Sequence, residues 1–103
     1  MTKDYSHVPL SQKLGAKPGA SVLVFFTTNA EELERRFAGL RDTLDRADGL
    51  WIAYPKKASK IPSDLSFETV QRIGLEGGLV DNKSAAIDKS WTAVRFVWRR
   101  EDR

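Results

Sequence analysis

The chain has 103 residues, 41% hydrophobic and 30% charged, with 17 basic against 14 acidic side chains and a net charge of +3. That is the composition of one globular domain near the lower size limit for a self-sufficient core. The lack of cysteine excludes disulfides, thiolate metal sites and a cysteine nucleophile, and no apolar run reaches the length of a membrane span.

Residues 1–19 read as a polar lead-in, with a short helix over Leu10 to Leu14 and a turn at Lys17-Pro18-Gly19. The opening residues lack the apolar core of a secretion signal, so a cytoplasmic, bacterial-type protein is expected. Ser21 to Thr28, SVLVFFTT, is a continuous apolar block, the pattern of a strand in a parallel sheet. Thr28-Asn29-Ala30-Glu31 has capping-box spacing, which makes Thr28 the expected cap of the next helix. Leu33, Phe37, Leu40 and Leu44 then fall on one helical stripe. The opposite face pairs Glu31 with Arg35, Glu32 with Arg36, Arg41 with Asp45 and Asp42 with Arg46 at i,i+4, a solvated face. The helix is expected to end near Ala47.

Leu50 to Tyr54 is too short and too apolar for anything but a buried strand between Gly49 and Pro55. It empties into a loop with Lys56, Lys57, Ser59, Lys60 and Ser63. A second helix is expected from Ser66 to about Gly77, with Ser66 as cap and Leu65 and Val70 at staple spacing. Two strands follow, about Leu79–Ile87 and Thr92–Trp98, joined at Asp88-Lys89-Ser90 as an antiparallel hairpin. Arg99 to Arg103 is a charged tail. The order is strand–helix–strand–helix–strand–strand, so the first three strands are parallel and the last is antiparallel. With the last strand between the second and third, the sheet order is 1-2-4-3. The chain is one α/β domain over 1–103, with sheet and helices in 20–98.

Several stretches carry a resemblance. Gly49-Leu-Trp-Ile opens a strand, Gly77-Gly78-Leu-Val precedes the hairpin, and Trp91-Thr-Ala-Val-Arg-Phe-Val closes the chain's sheet. Together they resemble the C-terminal half of class I SAM-dependent methyltransferases, which implies a three-layer half-Rossmann fold. Tyr5-Ser-His-Val-Pro-Leu, Lys13-Leu-Gly-Ala-Lys-Pro-Gly19, Tyr54-Pro-Lys-Lys-Ala-Ser59, Leu79-Val-Asp-Asn-Lys83 and Ala86-Ile-Asp-Lys-Ser-Trp91 are similar to a family of short bacterial proteins without assigned activity. That resemblance covers nearly the whole chain and implies a fold, but no catalytic residues. Its members place a further strand and helix after the Lys-Pro-Gly turn, and here that unit is missing. The glycine-rich cofactor loop is missing too, so no SAM and no other cofactor is expected.

Three functions follow, in descending order. The shortened fold leaves SVLVFFTT as an apolar edge that something has to cover. A homodimer through Ser21 to Thr28, in a non-enzymatic domain that acts through self-association and protein partners, is therefore the leading expectation. The second is a small-anion or nucleotide-phosphate site formed by Lys56, Lys57, Ser59 and Lys60 near Thr28 and Asn29, although charged loops more commonly serve only as solvated surface. The third is weak nucleic-acid binding around Trp98, Arg95, Arg99 and Arg100. Trp51 and Trp91 are expected to fill core and sheet faces instead. His7 has no evident catalytic partner, and the carboxylates show no metal-ligand spacing.

Overall fold

The computed structural model describes residues 23–102 of the chain. The lead-in helix, the Lys17-Pro18-Gly19 turn, His7 and the first two residues of the SVLVFFTT block lie outside that range. Within it, strand β1 (Leu23–Phe26) leads to helix α1 (Ala30–Asp42), strand β2 (Gly49–Pro55) and helix α2 (Phe67–Glu76). Strands β3 (Leu79–Ala86) and β4 (Trp91–Trp98) follow, then a 3-10 turn at Arg100–Asp102. The four strands form one sheet in the order β1-β2-β4-β3, as the sequence predicts. β1 runs parallel to β2, and β4 is antiparallel to both its neighbours. A register shift between Asp81 and Lys83 interrupts the β3–β4 ladder.

Strand β2 is the centre of the sheet, and every residue from Leu50 to Pro55 is buried. Its alternation sorts two clusters. Leu50, Ile52 and Tyr54 join Leu33 and Phe37 of α1, Leu65, Val70 and Ile73 around α2, and Val94 and Phe96 of β4. Trp51 and Ala53 join Ile87 and Ala93 on the other face, with Val24, Ala85 and Trp91 beside them. Both helices therefore cover the same face, so the described residues supply two of the three layers that the resemblance implies. Helix α2 comes close to the sheet at Gly74, where a Cβ would lie 2.1 Å from Phe96 Cε1. Phe37 meets Phe96 edge-on at 5.9 Å between ring centroids.

The capping of α1 departs from expectation. The cap is Asn29 and not Thr28: Asn29 Oδ1 accepts from the Glu32 backbone N–H at 2.8 Å. The capping-box spacing recurs one residue later as Asn29 to Glu32, and the carboxylate there accepts from Thr27 Oγ1 at 2.6 Å. Thr27 is 3% exposed, and its hydroxyl also accepts from the Asn29 N–H at 3.3 Å. This buried bonding fixes the register of the turn and selects Asn29 over its neighbour.

The helix also stops at Asp42, short of Ala47. Thr43 turns its hydroxyl onto the Leu40 carbonyl at 2.8 Å and ends the ladder. Leu44 still reaches the core, from outside the helix, and is 8% exposed. None of the four expected i,i+4 ion pairs forms. Arg41 instead binds Asp42 and donates to the Gly77 carbonyl at 2.8 Å, while Arg72 bridges Glu34 and Glu76. Arg36 lies over Phe25 and Arg46 over Trp98. Arg36 and Arg46 thus cover aromatic rings in place of pairing with the carboxylates four residues away.

Helix α2 follows the sequence closely. Ser66 caps it by accepting from Thr69 N–H at 3.3 Å, and Leu65 and Val70 are both buried in the main cluster. Gly78, just beyond the cap residue Gly77, has φ of 92°, a left-handed conformation that favours glycine.

Candidate functional site

The C-terminal end of β2 opens into a cavity of about 350 Å³. Its walls are Tyr54, Pro55, Lys56 and Lys57 from β2 and the loop after it, Leu65 to Glu68 from the start of α2, and Thr92 from β4. The sheet register builds the floor, because Tyr54 is the direct partner of Thr92. Lys56 is anchored by its backbone N–H, which donates to the Ser90 carbonyl at 2.8 Å.

Of the six residues expected at an anion site, Lys56 and Lys57 reach this cavity, and Ser59, Lys60, Thr28 and Asn29 are not among its walls. The Ser59 hydroxyl donates to the Lys56 carbonyl at 2.7 Å, which stabilises the loop. The Asn29 side chain is taken up in capping α1. The N-terminus of α1, the expected second half of the site, already holds a carboxylate: Asp64 Oδ1 accepts from the Ala30 N–H at 2.8 Å. That bond ties the loop after β2 to the start of α1. The N-terminus of α2 holds no such group, and the first two N–H groups of a helix, here those of Phe67 and Glu68, have no intrahelical acceptor.

The ion pairs among the described residues are Arg41–Asp42, Arg72–Glu34 and Arg72–Glu76. Lys56, Lys57 and Glu68 are thus without ion-pair partners, and all three border the cavity. The groove between the two helices differs. It is about 460 Å³ in volume, and its Glu34, Glu76 and Arg41 are engaged with Arg72, Asp42 and the Gly77 carbonyl.

Tyr54 and Glu68 were not legible as site residues. Tyr54 reads as the last apolar position of a strand, and Glu68 as a helpful charge in the first turn of a helix. The available signal was the strand alternation, which places Tyr54 on the same face as Leu50 and Ile52, the face the helices cover. The Tyr54 phenol is held above its ordinary value of 10.0, first by burial and second by the Glu68 carboxylate. It is therefore neutral at physiological pH, a hydrogen-bond donor. The folded state binds this proton more tightly than the unfolded chain, so its contribution to stability is present below pH 10 and lost as pH rises through the folded value. Alkaline titration of unfolding is expected to show a fall in stability that Tyr54→Phe flattens. An unchanged slope in the variant would assign the alkaline loss to other groups.

The third expected site is altered by its surroundings. One face of the Trp98 ring is covered by the Arg46 guanidinium, 3.9 Å from the ring centre, and its Nε1–H donates to the Leu44 carbonyl at 3.2 Å. The described residues contain no helix long and apolar enough to cross a membrane, and no group of three His, Cys, Asp or Glu side chains placed to hold a metal ion. No family model matches the chain, and no curated protein matches it.

Proposed function

We propose that the chain is a ligand-binding α/β domain that holds a small anionic group, a carboxylate or phosphate, in the cavity at the end of β2. The observation that carries this reading is the convergence of Lys56, Lys57 and the open N-terminus of α2 on one cavity, with neither lysine in an ion pair. Unsatisfied N–H groups and the positive end of the helix dipole attract an anion, and lysine adds charge without demanding fixed geometry. A thermal-shift screen with inorganic phosphate, sulfate and simple carboxylates tests it. Saturation at a hundredfold excess over Kd adds about 2.7 kcal/mol to stability. The Lys56→Ala, Lys57→Ala double variant is expected to lose that shift while keeping its own melting temperature, since both lysines lie at the surface end of the strand. A screen in which no anion moves the transition, together with a double variant indistinguishable from the parent, ends this reading.

Self-association is the second reading. Among the described residues β1 pairs only with β2, and Phe26 at its end is 46% exposed. A strand with one bare edge accepts a second copy of itself. Light scattering at micromolar concentration is expected to give twice the chain mass, and a monomer there removes it. Kinship with the methyltransferase C-terminal half belongs to the same proposal, supported by the antiparallel last strand lying inside the sheet.

A further inference from the structure

Tyr54 is 7% exposed, and its hydroxyl has no hydrogen-bond partner among the described residues. No side-chain oxygen or nitrogen among them is sealed away without a partner. The phenol oxygen is therefore not enclosed, and Tyr54 is one of the walls of the cavity. A neutral donor at the floor of a charged cavity, satisfied by nothing in the chain, is a group waiting for an acceptor.

The cavity carries charge of both signs. Lys56 and Lys57 stand on the β2 side and Glu68 on the α2 side, none of them in an ion pair. The Glu68 carboxylate is close enough to act on the Tyr54 phenol. Between the two signs the lining is apolar: Pro55 and Leu65 are buried, and the Phe67 side chain is 40% exposed at the first position of the helix. A plain dianion would gain from the lysines but meet Glu68 as a like charge, and a plain cation would meet the lysines. A ligand with both charges a few bonds apart, and an apolar body, satisfies every wall.

We infer that the cavity takes a zwitterion of the α-amino-acid type. Its carboxylate lies on Lys56, Lys57 and the free N–H groups of Phe67 and Glu68, and accepts from the Tyr54 hydroxyl. Its ammonium faces Glu68, and its apolar side chain lies on Phe67 and Leu65. At about 30 Å³ per water, the 350 Å³ space holds about a dozen waters, enough for such a molecule with solvent left at the mouth. This inference rests on the anion-binding reading above and narrows it.

Calorimetric titration of the full chain with four probes separates the two: L-leucine, L-phenylalanine, N-acetyl-L-leucine, which keeps the carboxylate and loses the ammonium, and inorganic phosphate. At least one of the two free amino acids is expected to bind roughly tenfold or more tightly than N-acetyl-L-leucine, the difference that a charge-assisted hydrogen bond makes. Glu68→Gln is expected to erase that preference while leaving N-acetyl-L-leucine affinity equal or higher. Tyr54→Phe is expected to weaken all carboxylate probes several-fold. Equal binding of free and acetylated leucine, or a preference that survives Glu68→Gln, overturns the zwitterion and leaves the anion site standing. Absence of binding by all four probes, or affinities untouched by the Lys56→Ala, Lys57→Ala double variant, overturns both.

Discussion

Replacing Gly74 by alanine is expected to lower the melting temperature by roughly 5–20 °C, because overpacking a core costs about 1–3 kcal/mol and each kcal/mol moves a domain of this size by about 4–8 °C. The new methyl would stand 2.1 Å from Phe96 Cε1 and 2.5 Å from Cζ. Phe96 is fully buried and edge-on to Phe37, so its ring has no free space to turn into. Helix propensity works the other way, since alanine is better than glycine by about 1 kcal/mol in a helix interior. Gly39 supplies the control. It lies inside α1 where an added Cβ meets nothing within 4 Å, so Gly39→Ala is expected to raise stability. Opposite signs for two identical substitutions isolate the contact with Phe96. Adding Phe96→Leu to Gly74→Ala is expected to recover part of the loss, and strictly additive effects in that double-mutant cycle would show that the helix moves aside instead.

Truncation of Trp98 is expected to cost roughly 2–4 kcal/mol, below the upper range for a buried aromatic because the residue is only partly buried. The loss is not confined to β4. Trp98 packs against the main cluster, donates to the Leu44 carbonyl and carries Arg46 on its face. Through these contacts the end of β4 holds the connection between α1 and β2, the stretch where the helix ends sooner than its sequence stripe suggests. Trp98→Phe keeps most of the ring and removes the donor, and about 1 kcal/mol is expected for it. Amide exchange over Thr43 to Asp48 is the discriminating measurement. It should accelerate in Trp98→Ala more than the global loss of stability requires, and protection that falls only in step with global unfolding would deny Trp98 the pinning role.

Much of the architecture was legible because its signals are local and redundant. The apolar block of β2 between Gly49 and Pro55, the Ser66 cap and the Gly77-Gly78 stop each satisfy several rules at once, and all of them hold. The errors share a cause. Thr28 and Asn29 are both good caps in sequence, and the choice between them depends on Thr27 being buried with its hydroxyl on Glu32. The spacing of Leu44 fits a helix, but a leucine two residues past the helix end reaches the same core. The i,i+4 charge pattern is equally permissive, since Arg36 and Arg46 find rings instead, a tertiary event that spacing does not encode.

The candidate site was half legible. Lys56 and Lys57 stand out in any reading, but their partners come from elsewhere in the chain, Thr92 through the β2–β4 register and Glu68 through the seating of α2. Asp64 shows the limit from the other side. In sequence it is one more loop carboxylate, and only the fold reveals that it occupies the helix start for which Thr28 and Asn29 were expected to recruit a ligand.

The last strand of the sheet lies between the second and the third, and this governs how the molecule is assembled. Until Trp91 to Trp98 have been synthesised and are free to insert, β2 and β3 have no edge in common, and only a two-stranded parallel ribbon of β1 and β2 can form, an arrangement too small to persist alone in water. Folding of the sheet is therefore a single event that waits for β4. A nascent chain stalled before Trp91 would present its apolar segments to chaperones and proteases in place of a partly built domain.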